Sequence, residues 1–301
     1  MKHIPVLKDE AIKLLNIKPD GVYLDLTLGR AGHSQEILKR LTTGKLIAFD
    51  LDKDAIKESK VILDKISSNY EVIHSNYSDF DKYVKGKVDG ILIDLGVSSP
   101  QFDNPSRGFS YKVNAPLDMR MNLDNKVTAK DLVNSLSINE LTKILREYGE
   151  EKDAFKIANN IIKARPINTT FDLVNVIKNS KSSRELNKKG HPAKQTFQAL
   201  RIAVNDELNS LSIALPKALK ALNKNGRLVI ITFHSLEDRI VKQAFNKVTK
   251  VIGNRNDDYK LPTKNQIEYA LLNKNVILPS EKEITNNPRS KSAKLRAIKK
   301  I

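Results

Sequence analysis

The sequence predicts an α/β protein, a doubly wound and largely parallel sheet whose chain is interrupted by a helical lobe. Three observations carry this. Short apolar, β-prone runs alternate with helices of about a dozen residues through the first hundred positions. Val88-Asp-Gly-Ile-Leu-Ile-Asp94 is nearly all apolar, as a strand buried on both faces should be. The alternation then stops, helix-spaced leucines and isoleucines take over, and the α/β pattern returns near residue 206.

The first strand is Val22-Tyr-Leu-Asp-Leu-Thr27, ending at glycines, and His33 to Leu41 follows with Ile37, Leu38 and Leu41 on one helical face. Gly44-Lys-Leu-Ile-Ala-Phe-Asp50 is a second strand and Asp54 to Ile66 a second helix. Tyr70-Glu-Val-Ile-His74 and Val88–Asp94 are the third and fourth strands. Pro100 to Asn125 is rich in Pro, Gly, Asn and Ser and shows no clean period. From Thr128 to about Ser183 the spacing is helical: Leu132, Leu136, Leu141, Ile144 and Leu145, then Ile157, Ala158, Ile161 and Ile162. A helix around Asp206–Leu222 and a fifth strand, Gly226–Thr232, restore the first pattern. The alternating tail, Ser292-Ala-Lys-Leu-Arg-Ala-Ile-Lys, can close the sheet as a final strand. The expected division is a core of residues 1–108 and 196–301 around a lobe of 109–195. No internal repeat is evident.

Composition narrows the chemistry. The chain has 301 residues, 40% hydrophobic and 29% charged, ordinary values for a globular protein. No apolar run approaches the ~20 residues a membrane span needs, and Met1–Glu10 has no signal-peptide core, so a cytoplasmic protein is expected. The absence of cysteine excludes disulfides, thiolate metal sites and cysteine nucleophiles. His3, His33, His74, His191 and His234 show no metal-ligand spacing, so no protein-bound metal is expected. Lys and Arg total 52 against 35 acidic residues, a formal charge of +17. Such a surface attracts polyanions, nucleic acid above all, although a lysine-rich genome would produce the same excess. Asn287 to Ile301 adds six basic residues and no acidic one.

In an open parallel sheet the ligand lies beyond the carboxyl ends of the strands. Here the first turn is Asp25-Leu-Thr-Leu-Gly29-Arg-Ala-Gly32-His33. The dinucleotide fingerprint G-x-G-x-x-G needs glycine where Thr27 stands, which argues against an NAD-dependent oxidoreductase. A looser, acidic-headed D-x-T-x-G turn suits a nucleoside cofactor without a pyrophosphate. Asp50 closes the second strand 21 residues after Gly29, where a carboxylate can accept both ribose hydroxyls. Capping of the following helix is the ordinary alternative, and Asp52 or Asp54 could equally supply it.

Longer strings are more specific. They are His3-Ile-Pro-Val-Leu7, Gly29-Arg-Ala-Gly-His-Ser34, Asp94-Leu-Gly-Val-Ser-Ser-Pro-Gln101, and Arg107-Gly-Phe-Ser110 with Pro116-Leu-Asp-Met-Arg-Met121. Phe197-Gln-Ala-Leu-Arg-Ile-Ala-Val-Asn205, Phe233-His-Ser-Leu-Glu-Asp-Arg239, Asn287-Pro-Arg289 and Ser292–Arg296 complete them. In these the chain resembles the bacterial RsmH (MraW) family essentially from end to end. The resemblance implies a Rossmann-like class I methyltransferase sheet with an inserted helical lobe for substrate recognition. It also implies transfer of a methyl group from S-adenosyl-L-methionine to the exocyclic N4 of a cytosine in the decoding (P-site) region of 16S ribosomal RNA. The implied partner is the small ribosomal subunit; the sequence leaves monomer and homodimer both open. A non-catalytic RNA-binding protein retaining the fold is the alternative, against which the intact Asp25, Asp50 and Asp94 argue.

Carried over by position, the resemblance assigns the cofactor to Ala31, Gly32, His33, Asp50, Tyr77, Asp94 and Gln101. Ala31 replaces the family's usual glycine and should fit if its φ stays negative. His33 opens a helix, where capping or packing is the commoner use. Tyr77 can lie against adenine or be a half-buried loop tyrosine. Gln101 suits the cofactor's polar tail, though a loop glutamine is ordinarily only solvated. Asp94, ending the fourth strand, is the candidate to position the reacting amine, or else it only orients the cofactor. His234 is a candidate to hold the base, while Ser235 with Asp238 reads as a helix cap. Arg107 and Arg120 offer guanidinium groups to RNA, or pack the lobe. Without cysteine, carbon-5 methylation of cytosine lacks its nucleophile. A ribose acceptor would call for a base such as lysine, and the Asp94–Gln101 string has none.

Overall fold

The computed structural model describes residues 5–249 and 267–301; His3, at the head of the His3–Leu7 string, lies outside them. The seven strands are β1 (Val22–Asp25), β2 (Lys45–Asp50), β3 (Tyr70–His74), β4 (Val88–Asp94), β5 (Leu222–Thr232), β6 (Tyr269–Leu271) and β7 (Lys294–Lys300). They form one sheet in the order β3-β2-β1-β4-β5-β7-β6, with β7 antiparallel to both neighbours and the pairs among β1–β5 parallel. This is the Rossmann-like sheet that the resemblance implies, with an antiparallel seventh strand. The tail pairs as expected, Arg227 opposite Lys299 through to Thr232 opposite Lys294.

The helices are α1 (Lys8–Leu15), α2 (Gly32–Leu38), α3 (Lys53–Leu63), α4 (Ser99–Asp103), α5 (Ala129–Ser135), α6 (Ile138–Gly149) and α7 (Ala154–Ala164). They continue as α8 (Thr170–Ser180), α9 (Ser183–Leu186), α10 (Lys194–Asn205), α11 (Glu207–Ala221), α12 (Ser235–Thr249) and α13 (Glu281–Asn286). The chain divides into two compact units, Met1–Gly96 with Leu208–Ile301, and Val97–Glu207.

In the first unit the sheet carries two apolar layers. Leu46, Ala48, Leu92, Val229 and Ile231 pack with α1 and α2 residues such as Leu15 and Ile37. Leu24, Phe49, Ile91, Ile93, Leu228 and Ile230 pack with Leu211, Leu215 and Phe245 of α11 and α12. Alternate residues of each strand thus face opposite layers, which is why β4 reads as unbroken apolar sequence. Each such side chain contributes about 1.5–3 kcal/mol by leaving water.

The second unit is helical around Phe109, Leu117, Val133, Leu145, Ile157, Ile161, Leu173, Phe197 and Leu200. Its helix starts are written in the sequence. Thr128 with Asp131, Ser137 with Glu140, and Thr169 with Asp172 form reciprocal capping boxes. The lobe expected over 109–195 lies inside this unit, whose bounds are wider at both ends. On the near side, Ser98 and Gln101 form a capping box that starts the five-residue α4, too short to show any period. On the far side, α10 packs into the helical core, and Asn205 donates to the Met119 carbonyl and accepts from the Met121 amide.

Candidate functional site: the carboxyl ends of the parallel strands

Asp25, Asp50 and Asp94 end β1, β2 and β4, and β1 lies between the other two strands. The sheet therefore brings the three carboxylates to one edge of the first unit. Each has a different task there.

Asp25 is 1% exposed and holds the turn from within. It accepts from Ser34 Oγ at 2.6 Å and from the Thr27 amide at 3.2 Å, so β1 stops at Asp25 rather than running on to Thr27. Thr27, the threonine of the D-x-T-x-G turn, links two strand ends: its Oγ1 accepts from the Asp94 amide at 2.6 Å. Asp50 accepts from the Gly29 amide at 2.7 Å and from the Asp52 amide at 2.8 Å. The helix-capping alternative for Asp50 falls to Asp52, whose side chain accepts from the Asp54 amide at the start of α3. Burial pushes both Asp25 and Asp50 up to about 6; the hydrogen bonds they accept pull the other way.

Asp94 is the unsettled member. Its Oδ1 is buried with no hydrogen-bond partner among the described residues. Burial, then the charges of Asp25 and Glu237, raise its carboxyl well above the usual range. His33, 5% exposed, places Nδ1 3.6 Å from Asp94 Oδ2 and Nε2 3.1 Å from the Val6 carbonyl. A carbonyl only accepts, so the Nε2 contact calls for a proton on Nε2. His33 is buried in the turn, and the N-cap of α2 is Ala31.

The turn corrects one expectation. Ala31 sits at φ +56° and is fully buried, so the position has kept the left-handed backbone for which glycine is suited. Its amide donates to the Leu28 carbonyl and its carbonyl accepts from Gln35, which hold the conformation in place. Gly32 is required for space: a Cβ there would come within 2.4 Å of Pro5 Cγ, which ties the N-terminal string to the turn.

Tyr77 begins a 3-10 turn after β3 and packs partly buried beside the Phe49 layer. Asn76 starts that turn by accepting from the Ser78 amide at 2.9 Å. Ser75 donates to the Asp50 carbonyl at 3.2 Å, which draws the segment leading to Tyr77 to the end of β2.

His234, rather than Ser235, takes the cap position of α12. Ser235 is the first residue of α12, and His234 is the capping residue before it. His234 Nδ1 accepts from the Glu237 amide at 3.5 Å, and Glu237 Oε2 accepts from the His234 and Phe233 amides at 3.2 and 2.7 Å. The box is therefore His234 with Glu237, one residue earlier than Ser235 with Asp238. Asp238 instead grips Arg296 of β7 at 2.7 and 3.2 Å. Glu237, 2% exposed, went unnoticed in the sequence; the spacing of an acid three residues after a residue able to accept a hydrogen bond was its only signal.

Gln101, Arg107 and Arg120 belong to the second unit. Gln101 Oε1 accepts from the Ser98 amide at 3.0 Å. Arg107 is 7% exposed and donates to the Arg120 and Met121 carbonyls. Arg120 pairs with Asp118 and donates to the Leu123 and Asn125 carbonyls. Within the lobe both guanidinium groups brace its loop.

The chain was compared with known proteins. It is 49% identical to the ribosomal RNA small subunit methyltransferase H of Mesoplasma florum and 50% identical to that of Mycoplasma capricolum, each alignment covering 99% of both chains. A solved structure of a putative rRNA-methylase from Clostridium thermocellum aligns at a TM-score of 0.48 and 11% identity over the whole of both chains. The profile of the MraW methylase family matches residues 1–301, and the chain belongs to that family.

Proposed function

We propose that this protein transfers a methyl group from S-adenosyl-L-methionine to the exocyclic N4 of a cytosine in the decoding region of 16S ribosomal RNA, acting in the cytoplasm. The observation that carries this reading is end-to-end similarity to curated ribosomal RNA small subunit methyltransferases, together with family membership over residues 1–301.

The residues of the first unit fit the cofactor. A carboxylate offers about four lone-pair positions; with the Gly29, Asp52 and Leu51 amides bound, Asp50 keeps acceptor capacity for a ribose hydroxyl. Asp94 Oδ1, buried and unpartnered, asks for a donor or a cation. A positively charged cofactor beside it would draw its pKa back down and favour the carboxylate. Ala31, Gly32 and His33 would line the turn side, and Tyr77 the base; Gln101, in the second unit, is proposed for the polar tail on the family resemblance alone.

The cofactor supplies a strongly electrophilic sulfonium methyl. The cytosine amine is a poor nucleophile because its lone pair is delocalised into the ring, so catalysis rests on alignment and on localising that pair. Asp94 accepts an N4–H hydrogen bond, which draws the lone pair onto nitrogen; the methyl donor would depart as a neutral thioether, keeping the electron pair of the broken carbon–sulfur bond, and the methylated N4 loses a proton, which leaves to water. His234 is proposed to hold the base, and Arg107 and Arg120 to shape the lobe's RNA-facing loop. The target base must leave its stack to reach the site, so the lobe, 109–195 in the sequence reading and 97–207 by its contacts, is assigned to substrate recognition. Small subunits from a strain lacking this protein should accept methyl groups when given the purified protein and S-adenosylmethionine. Failure with both subunits and free 16S RNA overturns the proposal.

A further inference from the structure

We infer that the helical lobe carries a nucleobase-stacking post, His191 on Tyr111, set among lysines that receive the flanking RNA phosphates. The inference rests on the reading that RNA is the substrate, and it names where on the lobe a strand is held.

Three aromatic rings form a column from core to surface. Phe197 is buried in the helical core, and Tyr111 meets it edge-on at 5.6 Å. His191 stacks on Tyr111 with centroids 4.3 Å apart and planes 12° from parallel. Both Tyr111 and His191 are half-buried. The imidazole is fixed, because His191 Nδ1 accepts from the Ala193 amide at 3.2 Å just before α10. A flat ring held rigidly at the surface costs little further entropy when another ring stacks on it.

The surroundings are cationic. Burial, then the charges of Lys178 and Lys112, push the His191 pKa down, so the ring is neutral at physiological pH. Lys112, Lys178, Lys189 and Lys194 are all exposed. Among the described residues none of the four side chains is drawn into an ion pair. Positive charge without internal partners around a neutral stacking face matches single-stranded RNA, which presents phosphates and bases together. An acidic peptide would use the lysines and gain nothing from the ring.

The test uses the full-length protein and a fluorescent single-stranded RNA of about 15 nucleotides (the site size of such strands is about 4–16). His191→Ala should weaken binding about tenfold with the salt dependence unchanged, and His191→Phe should restore it. Lys112→Ala, Lys178→Ala and Lys189→Ala together should weaken binding and lower the slope of log affinity against log salt by about 2. S-adenosylmethionine affinity should be unchanged in all of these variants, and an unchanged thermal denaturation profile checks that the lobe still folds. If the wild-type protein binds the strand and these variants bind equally well, the post is wrong while the RNA reading stands. If the wild-type protein neither binds the strand nor methylates small subunits, the RNA reading beneath it fails as well.

Discussion

Asp50 holds the turn, and the proposal gives the same side chain a ligand as well. Because it holds the Gly29 and Asp52 amides, its removal disturbs more than a cofactor contact. Asp50→Ala is expected to weaken S-adenosylmethionine binding by about 1.5–3 kcal/mol in a calorimetric titration, and also to lower stability by about 1–3 kcal/mol. Unchanged affinity would remove Asp50 from the cofactor site. Its titration gives a second expectation. Burial lifts Asp50 to about 6, above the unfolded value near 4. The folded protein therefore binds protons that the unfolded chain has released, and this contribution is complete below about pH 4 and lost as pH rises through 6. In urea denaturation, the stability of the wild type relative to Asp50→Asn should fall by on the order of 1–2 kcal/mol between about pH 4.5 and 7. A difference that stays constant with pH contradicts it. Cofactor affinity should rise over the same interval, since ribose hydroxyls donate best to the ionised group. The acidic residues were legible in the sequence because they end strands; that Asp25 faces inward to Ser34 was not, since a turn's hydrogen bonds are set by backbone geometry that no periodicity encodes.

At the level of elements, the helix starts divide the legible from the hidden. Boxes headed by Ser or Thr, such as Ser137 with Glu140, follow the usual pattern and could be read directly. His234 with Glu237 could not, because histidine is an uncommon cap and Ser235 stood beside it as a more familiar one. The glycine turn carries the sharper test. Ala31 bears a Cβ at φ +56°, in a region costing an L-residue roughly 1 kcal/mol. Ala31→Gly should leave stability unchanged or raise it by up to about 1 kcal/mol, the relief of strain being offset by glycine's greater freedom when unfolded. Gly32→Ala, which forces a Cβ against Pro5, should destabilise by about 1–3 kcal/mol. Thermal denaturation of the two variants in parallel distinguishes them; an Ala31→Gly variant as damaged as Gly32→Ala would show that the Ala31 methyl is needed for packing.

The molecule as a whole is a methyltransferase sheet whose chain detours through a helical unit between Gly96 and Leu208. The sequence reading sets the detour at 109–195, where strand–helix alternation gives way to helical spacing alone; the contacts bound the helical unit at 97–207, because α4 is too short to repeat and α10 runs almost directly into α11. The boundaries matter for experiment. Excising 125–190 would leave Phe109, Phe197 and Leu200 of the lobe's core exposed, whereas replacing 98–206 with a flexible linker removes that core entirely. The latter variant should still bind S-adenosylmethionine, more weakly for want of Gln101, and should not methylate RNA. A folded variant with no cofactor affinity would place essential cofactor contacts in the lobe.

The central claim concerns the acceptor atom, and nucleoside mass spectrometry tests it most directly. Small-subunit RNA treated with the purified protein and S-adenosylmethionine should yield a single new species, cytidine carrying one methyl group on the exocyclic nitrogen of the base. Asp94→Ala should reduce its formation sharply even at saturating cofactor. A methyl group on the sugar fragment, on the cytosine ring carbon or on another base would contradict the account.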